Sequence, residues 1–117
     1  MLANAYYIKG SYSEARTAAY AALKYQPNMG KAYILIGDLY ANSVGRCSGD
    51  DIPLACAWAA ADKYAKAVAV DPSCADRANK QRAKLRFPSK DDLFKRGLSS
   101  GASYHVGCWI QENTTVR

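Results

Sequence analysis

Two stretches of this chain carry small or aromatic residues at the same helical spacing, and each closes on a proline five residues later. The first is Ala15-Ala19-Ala22-Pro27 and the second is Ala60-Tyr64-Ala67-Pro72. Residues three and four apart share one face of a helix, so each series makes a narrow face on which a second helix can lie close. Pro27 and Pro72 are separated by roughly eleven residues more than the ~34-residue period of one helix–turn–helix repeat. The excess is expected as a loop inserted between two helices of one unit, at about 43–51 (SVGRCSGDD), where Gly and Ser concentrate. Half of the 117 residues are hydrophobic, enough to pack one domain with a modest core.

The segment between the prolines gives the series a family likeness. Lys31 to Tyr40 reads KAYILIGDLY and resembles the first helix of a tetratricopeptide repeat (TPR), with Tyr33, Ile36, Gly37 and Tyr40 at the large, apolar, small and aromatic positions. Ala60, Tyr64 and Ala67 resemble the second helix of the same unit, and Pro72 its close. In the preceding unit Leu2, Ala3 and Tyr6 match the first helix and Ala15, Ala19 and Ala22 the second. The resemblance implies an all-α fold, a TPR-like α-solenoid of antiparallel helix pairs over residues 1–97, ending in a capping helix pair. Because the first matched helix begins partway through, the chain is expected to start inside a longer parent with further repeats upstream.

Local signals place the helix ends. Ser11-Tyr12-Ser13-Glu14 reads as a capping box, Asn28 as a cap after Pro27, and Asp71-Pro72 as a polar cap followed by proline at the first helical position. Pro53 falls near the start of a helix running to Val70. A further helix is expected over about 73–87, ended by Pro88 and packing through Ala78 and Leu85, and a short one near 89–97.

From residue 98 the pattern changes. Tyr104, Val106, Cys108 and Ile110 alternate as in a strand, and Thr114 to Val116 can return beside them. The tail, 98–117, is therefore expected to form a β-hairpin that either packs on its own helices or extends a sheet with another chain, with Trp109 as the anchor or as a contact for a partner. This ending also resembles the closing segment of long TPR proteins of Bacteroidetes-type bacteria, through Phe87-Pro88, Asp91 to Phe94, Gly97, Ser103-Tyr104, Val106-Gly107, Trp109-Ile110 and Thr114 to Arg117. That likeness implies a bacterial protein exported to the periplasm or cell envelope, with no activity to carry over.

Charge is uneven. The formal net charge is +6, and Arg77, Lys80, Arg82, Lys84, Arg86, Lys90, Lys95 and Arg96 face only Asp91 and Asp92 within their segment. Such a run is first of all a solvated surface; its alternative use is to attract nucleic acid or an anionic surface through residues 77–96. No RNA-binding aromatic signature, helix-turn-helix pattern or zinc-finger spacing accompanies it. No apolar run approaches the ~18 residues of a membrane span. The cysteines, Cys47, Cys56, Cys74 and Cys108, form no C-x-x-C pair. Cys47 and Cys56 flank the inserted loop, where they can close a disulfide in an oxidising compartment or remain separate loop and core residues.

Nothing in the sequence supports catalysis. There is no phosphate loop, no paired-carboxylate constellation and no nucleophile elbow. His105 and Cys108 sit at odd separation on one strand and so face opposite sides, and no metal-ligand set converges on them. No cofactor or metal is expected. The expected activity is that of a scaffold, holding a protein or peptide partner on a concave face built from the first helix of each unit. The residues expected there are Asn4, Tyr7 and Ile8, then Lys31, Ile34, Asp38 and Asn42, then Asp76, Asn79 and Arg86.

Overall fold

The computed structural model describes residues 10–43, 54–95, 97, 99, 101–107 and 109–116. The inserted loop beyond Ser43, the expected first helix with Leu2, Ala3, Asn4, Tyr6, Tyr7 and Ile8, and Cys47 and Cys108 lie outside them. Among the described residues five helices and two strands follow in order: α1 (Tyr12–Tyr25), α2 (Gly30–Ala41), α3 (Cys56–Val70), a 3-10 turn (Pro72–Cys74), α4 (Ala75–Ala83), α5 (Lys90–Lys95), β1 (Ser103–Val106) and β2 (Glu112–Thr115).

α3 occupies the centre. Its first half, Cys56 to Ala61, is buried on every side, as a helix apolar all round must be. Packed against it are α2, α4 and β2. The closest approach is at Gly37 of α2, where an added Cβ would stand 2.6 Å from the Tyr64 ring of α3. Glycine is needed there for proximity, since the aromatic fills the space that a side chain would take. A second tight point lies at Gly30, whose Cβ would meet Cys74 Sγ at 2.5 Å and Asp71 Cβ at 2.8 Å.

The all-α TPR-like solenoid is overturned. Of the described residues 63% are helical, with a small two-stranded antiparallel sheet, and no repeat fold is identified among them. The strands pair Ser103 with Thr115, Tyr104 with Thr114, His105 with Asn113 and Val106 with Glu112. Val106, Ile110 and Val116 belong to the same buried cluster as the helix residues Ala15, Ile36 and Trp58. The physical reason is burial: the 103–116 hairpin folds back to cover apolar surface of α1–α3 that a solenoid would cover with further stacked helices. A bare two-stranded hairpin is only marginally stable, so this docking holds it.

Helix ends depart from the local signals in instructive ways. Asp71 accepts the Ser73 N–H (3.2 Å) with Pro72 beside it. Ser11 stands at the N-cap of α1 but its side chain makes no capping bond, and α2 starts at Gly30 after Met29 rather than after Asn28. α4 stops at Ala83, short of Phe87. Its exit is drawn tight by bonds of the 3-10 kind, Lys84 N–H to Gln81 O and Leu85 N–H to Arg82 O, both 3.1 Å. Pro88 disfavours helical geometry at the residue before it.

The two matched alanine series are not equivalent. Ala15, Ala19, Ala60 and Ala67 are all 0% exposed, whereas Ala22 is half-buried. Ala67→Leu is therefore expected to cost about 1–3 kcal/mol through overpacking, and Ala22→Leu less than about 1 kcal/mol, as at other positions near the surface. Thermal denaturation of the two variants side by side checks the difference; equal losses would contradict the burial.

Candidate functional site

The expected partner face divides. Asp38 of α2 and Asn42, just past its end, converge with Arg86, beyond the end of α4, on one open pocket of ≈ 360 Å³ whose walls also include Tyr64, Gln81, Lys84 and Leu85. Lys31 lines a different cleft, between the α1–α2 turn and Asp71 and Cys74. Ile34 is 1% exposed and is a core residue, a correction that follows from the continuous apolar run Ile34-Leu35-Ile36. Asp76 and Asn79 are exposed on α4 but line neither of these pockets.

The floor of the first pocket is built by hydrogen bonds between helices. The Tyr64 hydroxyl donates to Asp38 Oδ1 at 2.6 Å. The Gln81 amide donates to the same oxygen at 2.9 Å, and Lys84 Nζ donates to Gln81 Oε1 at 3.1 Å. One carboxylate thus ties α2, α3 and α4 together. Hydrogen bonds to a charged acceptor are the stronger kind, so this floor is rigid. Around it stand the exposed Asn42, Lys84 and Arg86 and the half-buried Leu85. Gln81 had no evident packing role in the sequence; its use as a bridge to Asp38 depends on a contact 43 residues away.

A second polar constellation holds the hairpin, and no local signal announced it. Arg16 of α1 donates to the carbonyls of Ile110 (2.5 Å) and Trp109 (3.1 Å) and to the Tyr40 hydroxyl (3.0 Å). Its guanidinium also lies 4.8 Å from the Trp109 ring centroid, a cation–π distance. Tyr40 donates to Glu112 Oε2, and Lys63 Nζ pairs with Glu112 Oε1 at 2.9 Å. Trp109 Nε1 donates to Ser43 Oγ at 2.8 Å, which in turn donates to Leu39 O at 2.9 Å. Thr114 Oγ1 donates to Asp62 Oδ2 at 2.5 Å. Tyr104 packs edge-on against Trp58, with centroids 5.6 Å apart.

Desolvation leaves its mark on this network. Burial raises the Glu112 carboxyl above its ordinary range, and the nearby Arg16 charge opposes that shift. Burial also lowers the Lys63 ammonium, against Asp62. Tyr20, beside them, is pushed up to about 12 by burial first and by the Glu112 charge second. The Lys63–Glu112 pair among them fastens the tail to the helices.

The remaining motif residues are engaged or solvated. Both ring nitrogens of His105 meet side-chain oxygens, Nδ1 with Asn113 Oδ1 at 2.8 Å and Nε2 with Gln111 Oε1 at 3.0 Å. Its expected neighbour Cys108 is outside the described residues. Cys56 is buried at 1% exposure, while Cys47, its suggested disulfide partner, lies outside the description. Cys74 donates to Asp71 O at 3.0 Å, and burial followed by the Asp71 charge raises its thiol, the opposite of an activated nucleophile. Among the described residues no group of three or more His, Cys, Asp and Glu is placed to hold a metal ion. No described helix is long and apolar enough to cross a membrane.

Comparison of the chain with protein-family models, with curated proteins and with solved structures finds no match. The functional reading therefore rests on the chain's own geometry.

Proposed function

We propose that this chain is a protein-binding module that holds a segment of a partner protein in the cleft between α2 and the end of α4. The observation that carries this reading is the pocket of Asp38, Asn42, Gln81, Lys84 and Arg86, rigid at its floor and open at its rim. A bound main chain needs both donors and acceptors in an immobile frame. Lys84 and Arg86 supply donors, the Asp38 carboxylate an acceptor, and Leu85 with Ala41 offers apolar surface for a side chain. The triple tie through Asp38 means that little ordering cost is left for the moment of binding.

Photo-cross-linking from the full chain tests this. A cross-linker placed at Asn42 is expected to capture a partner that the same group at the exposed Lys66 of α3 does not. Arg86→Glu should abolish that capture while leaving the thermal midpoint within about 2 °C, as for other exposed substitutions. Equal capture from both positions, or capture indifferent to Arg86→Glu, refutes the site.

A further inference from the structure

The cations of the 77–95 segment lie in the same stretch of chain as a prominent exposed aromatic. Ala78 is buried on α4, with Gln81 and Leu85 half-buried, so the intervening Arg77, Lys80, Arg82 and Lys84 are turned outward and exposed. On α5, Leu93 is 5% exposed while its neighbour Phe94 is 84% exposed. Successive residues of a helix diverge by ~100°, so anchoring Leu93 in the core projects Phe94 away from it. Lys90 and Lys95, both exposed, flank that ring. The ion pairs described in the structure, Arg16–Glu112 and Lys63–Glu112, lie elsewhere.

From this arrangement we infer that α5 docks on a bilayer carrying anionic lipid headgroups, with Phe94 entering the interface between Lys90 and Lys95 and the other exposed cations of the 77–95 segment adding to the attraction. Charge complementarity selects the occupant: seven basic residues from Arg77 to Lys95 are set against Asp91 and Asp92 in the same span. Basic clusters of this size are drawn to anionic leaflets, and a large apolar side chain beside them adds interfacial burial. Nucleic acid fits less well, because single-strand binding places several rings in succession along a basic groove. Here the segment exposes Phe94 strongly, on a six-residue helix, and Phe87 by 38% before it, two rings that are not in succession.

The test is flotation of the full chain with vesicles of phosphatidylcholine alone or mixed equally with phosphatidylglycerol. Binding is expected only to the mixed vesicles, and it should weaken as salt rises. Lys90→Gln with Lys95→Gln should weaken it roughly 25-fold, at about five-fold for each charge near a membrane surface. Phe94→Ser should weaken it about ten-fold through lost burial. Both variants alter exposed positions and leave Asn42, Lys84 and Arg86 in place, so partner capture at the cleft is unaffected and the two readings fail separately. No flotation with the mixed vesicles, flotation unchanged by Phe94→Ser, or displacement of the chain from vesicles by a single-stranded oligonucleotide of matched charge overturns the inference.

Discussion

Gly37→Ala is expected to destabilise the chain by about 3 kcal/mol, the upper range for overpacking a filled core. One methyl group would stand 2.6 Å from Tyr64 Cε1 and 2.9 Å from Cδ1. A flexible side chain could yield; this ring cannot. Tyr64 is 1% exposed, and its hydroxyl is held at 2.6 Å by Asp38, the residue that follows Gly37 on α2. Any movement that relieves the clash pulls the ring from its hydrogen bond or drives α2 away from α3, the largest helix contact in the molecule.

The cause can be separated from a general dislike of alanine. Alanine is the better helix former by about 1 kcal/mol, so without the clash this substitution would stabilise the helix. Tyr64→Leu in the same chain should return part of the loss, with a coupling of about 1–2 kcal/mol in a double-mutant cycle read by chemical denaturation. Additive losses would mean that the ring is not what excludes the methyl. Since Tyr64 and Asp38 also make the floor of the cleft, the Gly37 variant is expected to lose partner capture before it unfolds.

What the sequence disclosed is local. Small residues at helical spacing located α1, α2 and α3, because the cost of a bulky residue at a close approach is written at the position itself. Gly37 facing Tyr64 is such a case. The Asp71-Pro72 cap was legible for the same reason, since its donor and acceptor are two residues apart. The fold class was not. That the tail lies along the helices depends on Arg16 reaching Ile110, 94 positions away, and an arginine on a helix carries no mark that distinguishes a tether from a solvated charge. Reading the series as a repeat extended a true local pattern into an array of helices, where the chain instead closes its core with two strands. The cleft is half legible: Asp38, Asn42 and Arg86 stand on the expected face and line it, but Ile34 is core and Lys31 lines another cleft. Helical phase alone cannot say where neighbouring elements end.

The tether itself makes the last prediction. Arg16→Ala should cost about 1.5–3 kcal/mol, the loss associated with hydrogen bonds to a charged group in a partly buried network. It takes donors from two carbonyls and from the Tyr40 hydroxyl at once, removes the cation stacked on Trp109, and leaves Glu112 with Lys63 as its ion-pair partner. Arg16→Lys should recover less than half of the loss. A single ammonium restores the charge but cannot span both carbonyls as a planar fork does. Hydrogen exchange locates the damage. The Val116 and Gly101 amides, bonded to Ala102 and Val116 carbonyls at 2.8 and 2.7 Å, are protected only while the hairpin stays docked, because two strands alone hardly persist in water. In the alanine variant these amides should exchange well ahead of those in α2 and α3, as a locally opened unit does. If all of them accelerate together, the hairpin and helices unfold as one cooperative body; if the hairpin amides stay protected while stability is unchanged, Arg16 is not what fastens the tail.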